Sequence, residues 1–89
     1  MPPLMTMIPT VHLNGTGGKT LYAEYHAAYK AIGAAIDAMA ATTCNGRDFY
    51  PQGSDAFYKA RDERDEVLTK LRDAKAYAEQ ILMGIMDQM

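Results

Sequence analysis

The apolar positions of this chain form two long helical patterns separated by a polar stretch. In the first, Leu21, Tyr25, Ala28, Ile32, Ala35 and Met39 recur at steps of four and three, which places them on one stripe that faces a partner. The segment is rich in alanine, which favours helix and leaves small side chains on more than one face. Helix is predicted over 18–42, with Thr16 as its cap, the hydroxyl accepting a bond from an otherwise unpaired N–H. Gly33 costs such a helix about 1 kcal/mol relative to alanine. It reads as a tight helix crossing or as a neutral accident.

The second pattern is heptad-like. Phe57, Arg64, Leu71, Ala78 and Ile85 form one row, and Ala60, Val67, Ala74 and Ile81 form another. Leu68 and Leu82 widen the stripe beyond a coiled-coil seam, as in a helical bundle. Helix is predicted over 54–88, capped by Ser54, with Asp55 complementing the positive end of the dipole. Asp55/Lys59 and Glu66/Lys70 stand at the i, i+4 spacing of a solvated face. The paired carboxylates Asp62-Glu63 and Asp65-Glu66 belong to that charged face. Two helices cannot enclose a stripe this wide, so several protomers must pack together.

Residues 1–15 read as an extended arm, because Pro2, Pro3 and Pro9 forbid helix and Thr10 to Leu13 suit a short extended piece. Asn14 to Gly18 form a glycine-rich loop. The connector, 43–53, carries the Asn45-Gly46 turn signal, and Pro51 disfavours helix at Tyr50. The apolar end, Ile81 to Met86, is expected to pack against the arm or another subunit. The predicted architecture is therefore all-α: a single domain with an N-terminal extended arm and an antiparallel two-helix hairpin, oligomerising into a helical bundle.

Composition narrows the chemistry. With 89 residues and a single cysteine, Cys44, no intrachain disulfide staples the fold. The formal charge of −2, from 9 basic and 11 acidic residues, supplies no positive field for duplex nucleic acid. No stretch approaches a membrane span, and the N-terminus has no basic leader, so a soluble intracellular protein is expected.

The segment Gly15-Thr16-Gly17-Gly18-Lys19-Thr20 suggests a phosphate-binding P-loop, but Leu13 occupies the position of its first glycine and no parallel sheet surrounds it. A glycine-rich turn entering a helix still presents unpaired N–H groups to an anion, with Lys19 nearby. Tyr22, His26, Tyr29 and Lys30 share a face that either stacks on a base or fills an interface. His12 and His26 lack the spacing of a metal site, so no metal and no cofactor are expected. No nucleophile–base pair can be drawn, and an enzyme is not expected.

The connector carries more chemistry than a helix turn requires. Arg47 can grip a phosphate or carboxylate with two parallel bonds, and Asp48 can orient it or pair with it. Tyr50 can stack or cover the hairpin end, and Gln52 can read a base or ribose edge.

Thr10-Val11-His12-Leu13-Asn14-Gly15-Thr16 and Asn45-Gly46-Arg47-Asp48-Phe49-Tyr50-Pro51-Gln52-Gly53 resemble segments of a family of short helical proteins from bacteriophages and prophages, a likeness that covers most of the chain. The glycine-rich start at Gly17-Gly18-Lys19 departs from that pattern. Small helical phage proteins of this kind include oligomers that sequester host nucleotide signals and disarm cyclic-nucleotide or cyclic ADP-ribose immunity. The resemblance thus implies a non-enzymatic binding protein of the bacterial host cytoplasm. Its ligand would be an anionic nucleotide-like small molecule, held by His12, Asn14, Thr16, Arg47, Tyr50 and Gln52 at a boundary between copies of itself. The alternative is a phage protein–protein interaction module that docks on a host or virion protein. One site using both motifs requires an antiparallel partner or an arm folded back along the hairpin.

Overall fold

The computed structural model describes residues 6–89. The expectations for Pro2 and Pro3, and for the first third of the arm, lie outside the described residues. Two long helices dominate: α1, Gly18–Ala40, and α2, Ala56–Met86. They pack against each other as a hairpin. Both helices are shorter than the sequence predicts, by two residues at the connector side of each and by two more at the far end of α2. Among the described residues there is no strand, and no helix is long and apolar enough to cross a membrane.

The helix starts differ from the expected ones. Gly17 caps α1 and Asp55 caps α2, neither with a side-chain bond, so Thr16 and Ser54 are not the caps. Asp55 keeps its carboxylate at the positive end of the α2 dipole, where it is favourable without bonding. At the far end of α1 an arginine closes the helix. Arg64 donates from Nη2 to the carbonyl oxygens of Ala40 (2.8 Å), Thr42 (3.2 Å) and Met39 (3.3 Å), and from Nε to the Thr42 hydroxyl at 3.3 Å. Periodicity put Arg64 in an apolar row; the guanidinium instead satisfies carbonyls that a helix C-terminus leaves orphaned. Arg64→Ala is expected to cost about 1–2 kcal/mol, the worth of a charge-assisted cap. Urea unfolding measures this, and Arg64→Lys should restore only part of the loss, because an ammonium lacks the fork.

The buried core is small and lies entirely on α2: Leu68, Ala78, Ile81, Leu82 and Ile85. All but Leu68 fall from Ala78 onward, where the N-terminal segment adds a third layer. Thr6 donates its hydroxyl to Gln80 Oε1. Val11 N–H donates to Gln88 Oε1 at 2.8 Å, and Gln88 Nε2 returns a bond to the Pro9 carbonyl at 2.8 Å. Ile8 lies so close to Gly84 that a Cβ there would stand 2.5 Å from Ile8 Cγ2. Alanine at 84 would favour helix by about 1 kcal/mol, yet it must displace Ile8. The expected result of Gly84→Ala is a detached arm, seen as faster hydrogen exchange at the Val11 amide with α2 still helical.

The seam of α1 is rotated from its predicted stripe. Tyr22, Tyr25, His26, Tyr29, Ile32, Gly33 and Ile36 are half-buried, whereas Ala28, Ala35 and Met39 stay exposed. Gly33 is no tight crossing: an added Cβ would meet only the flexible tip of Lys75, at 3.6 Å.

Candidate functional site

The connector folds into two successive 3-10 turns, Gly46–Asp48 and Tyr50–Gln52. Backbone bonds from Asp48 N–H to Asn45 (3.3 Å), Phe49 to Gly46 (3.1 Å), Gln52 to Phe49 (2.9 Å) and Gly53 to Tyr50 (3.1 Å) hold them. Tyr50 therefore opens a helical turn despite Pro51; within the first turn a proline's missing N–H is no loss. The loop leaves through Gly53 at φ 126°, a conformation that side chains rarely adopt.

On this stiff loop Phe49 is half-buried, while Arg47, Asp48, Tyr50 and Gln52 face solvent, Tyr50 at 73% exposure. No ion pair joins Arg47 to Asp48, and the Arg47 guanidinium bonds to nothing among the described residues. Tyr50 does not cover the hairpin end. Both structural readings of these residues fall away. Next to Gln52 an open cleft of about 440 Å³ is lined by Gln52, Gly53, Ser54, Asp55, Ala56 and Lys59. Lys59 belongs to this cleft and makes no ion pair with Asp55, the i, i+4 partner expected of it. By contrast Glu66 and Lys70 do pair, at 3.8 Å. The Oδ1 of Asn45 is buried and accepts no hydrogen bond from the described residues, an arrangement that costs about 1–3 kcal/mol.

The other motif lies at the opposite end of the hairpin. Gly15 N–H closes a turn on the His12 carbonyl at 3.2 Å, and the imidazole covers Gly15 so closely that a Cβ there would meet Nε2 at 2.7 Å. His12, Asn14 and Thr16 are exposed, and Leu13 projects almost wholly into solvent. The start of α1 has no side-chain cap and no acidic residue in its first turn, and Lys19 is exposed beside it.

The structure therefore brings His12, Asn14 and Thr16 together at one end, and Arg47, Tyr50 and Gln52 together at the other. α1, with 23 residues, separates the groups by about 35 Å. The contacts of Thr6, Ile8 and Val11 with the end of α2 hold His12 to Thr16 at the open end, so the arm does not carry them to the connector. Within one chain the six residues do not share a site.

The tyrosine face is absorbed by the fold. Tyr22 stacks on His26 with centroids 5.5 Å apart, and Lys75 Nζ sits 5.0 Å above the Tyr29 ring. Those rings fill the seam of the hairpin, leaving Lys30 exposed. Among the described residues no three His, Cys, Asp or Glu side chains gather as a metal site. No family model, no curated protein and no solved structure matches this chain.

Proposed function

We propose that the chain is a phage-encoded binding protein that sequesters an anionic, nucleotide-derived signalling molecule and thereby counters bacterial anti-phage defence. The observation that carries this reading is the connector. An arginine fork, a tyrosine ring and a glutamine amide stand exposed, with no hydrogen-bond partner among the described residues, on a loop fixed by turns and by Gly53, and Gln52 lines a cleft that adds Lys59. Folding alone does not call for Arg47 or Tyr50 there, since neither packs on the hairpin.

In this reading Arg47 binds phosphate with two charge-assisted bonds, Tyr50 stacks on the base and Gln52 reads its edge. His12, Asn14, Thr16 and the uncapped start of α1 supply a second anion-binding cluster. The homo-oligomer places that cluster from one protomer against the connector of another, so the ligand lies at the subunit boundary. Binding is not followed by reaction: the ligand is held and returned intact on denaturation. The setting is the cytoplasm of an infected bacterium.

Calorimetric titration with cyclic nucleotides and cyclic ADP-ribose, followed by chromatography of the released ligand, tests the reading. Saturable binding and unchanged ligand support it. Silence across the series, or a converted product, removes it.

A second reading, docking on a host or virion protein, draws support from another feature. Met83, Met86 and Met89 are half or more exposed, and Met86 and Met89 line an apolar cleft with Tyr22. Methionine-rich surfaces adapt to protein partners. A stoichiometric protein captured from infected cells, and lost on Met86→Glu, would favour that reading over sequestration.

A further inference from the structure

The isolated hairpin exposes too much surface for its mass. Its accessible area is 6581 Å², whereas a compact monomer of 9.8 kDa exposes about 5,200 Å². Its radius of gyration is 18.3 Å, against about 12 Å for a globular chain of this length. The excess, roughly 1,400 Å², exceeds the ~800 Å² that each partner buries in a standard protein interface. No residue of α1 is fully buried.

The two flanks of the hairpin differ in character. Lys75 crosses from α2 to Tyr29 on one of them. With about 100° between successive helical residues, Lys30 and Asp37 fall on that same charged side. Opposite them lie Ala28, Ala35 and Met39 of α1, with Val67, Ala74 and Tyr77 of α2 beside them. All six are exposed, Val67 at 41% and Tyr77 at 45%. Between Ala28 and Met39 this side of α1 carries no charge.

We infer that this flank is the seat of a second copy of the chain, packed through a twofold axis into a four-helix bundle. The uncharged strip that α1 presents, with alanine at 28 and 35, lets two copies of that helix approach closely, and an identical strip is its natural complement across a twofold. The α1 half of the face offers a partner no charge to pair with, and on α2 the exposed Glu63 and Lys70 lie along the outer edge of the strip, carrying opposite charges that a twofold can set against each other. Homodimer interfaces are the more apolar class of protein contact, and the area left over matches one. Because α1 contributes no fully buried side chain within its own hairpin, the second copy completes the core. The inference stands without any ligand, but the shared site proposed above rests on two copies meeting.

Ala34 and Ala35 are neighbours on α1 that face different ways. Both are exposed, so glutamate at either meets no wall of its own hairpin. Sedimentation equilibrium is expected to give the wild type twice the mass of the 9.8 kDa chain, and its melting temperature is expected to rise with protein concentration. Ala35→Glu should weaken association roughly a hundredfold through two buried like charges, while Ala34→Glu stays dimeric. Loss of helical signal in Ala35→Glu alone also supports the inference, since only a partner covers that position. A monomeric wild type with a concentration-independent melt overturns it. So does a dimer that survives Ala35→Glu. Ligand titration of a protein shown to be dimeric then tests the binding function separately.

Discussion

Arg47→Ala is expected to abolish nucleotide binding while leaving the protein folded and its oligomer intact. The side chain is exposed and makes no hydrogen bond or ion pair with the described residues, so its removal should shift stability by less than about 0.5 kcal/mol, as at other exposed surface positions. Its worth to an anionic ligand is larger. Hydrogen bonds to a charged group contribute about 1.5–3 kcal/mol, and 3 kcal/mol is a factor of roughly a hundred in affinity. Arg47→Lys keeps the charge but loses the planar fork, so affinity should fall between the two. Calorimetry and circular dichroism on the same samples separate the outcomes. A variant that binds normally would sink the assigned role, and one that unfolds would make Arg47 a structural residue.

The largest stability effect is expected at Ile85. It is fully buried, with Ile81 one turn before it almost as deep. It sits where α1, α2 and the N-terminal segment converge, the best-packed part of a thin molecule. Truncation of a buried isoleucine to alanine typically costs about 2–5 kcal/mol, through lost transfer energy and the cavity left behind. The described core holds only five residues, so a loss of that size is a large share of any stability available to so small a chain. Ile85→Ala is expected to be largely unfolded at 37 °C by circular dichroism. Glu79→Ala, at an exposed position of the same helix away from the flank of Val67 and Tyr77, should cost far less. Equal losses at the two positions would mean that the core is not where the burial pattern puts it.

Helix content and the hairpin order were legible in the sequence, because two strong periodicities flank a segment with Asn-Gly and Pro. The face that α1 presents to α2 was not. An alanine-rich helix carries apolar residues on several sides, so spacing alone cannot choose among stripes. The aromatic rings of Tyr22, His26 and Tyr29, with Ile36, decide the choice by filling the gap to α2 better than Ala28 and Ala35 can. Met39 is left exposed by the same rotation. Caps were misread for a similar reason. Thr16 and Ser54 are good capping residues in isolation, but the turns at Gly15 and Gly53 set where each helix begins. The role of Arg64 was hidden inside a heptad row, since its partners are carbonyls at the end of another helix.

The candidate site was partly legible. Arg47, Tyr50 and Gln52 stood out because a bare helix turn does not need them, and they are free in the structure. Lys59 was assigned to an ion pair and instead lines the cleft next to Gln52. The orphaned Asn45 Oδ1 could not be foreseen, because orphaning depends on the burial of one atom. The 35 Å between the two motifs was foreseeable from helix length, and it makes the second copy central to a site that uses both.

Native mass spectrometry of the protein purified from cells that make cyclic nucleotide and cyclic ADP-ribose signals tests sequestration most directly. The expected spectrum is an oligomer carrying extra mass of nucleotide size, released unchanged on denaturation and absent from Arg47→Ala. A clean oligomer with no adduct, even after those nucleotides are added in excess, would contradict it.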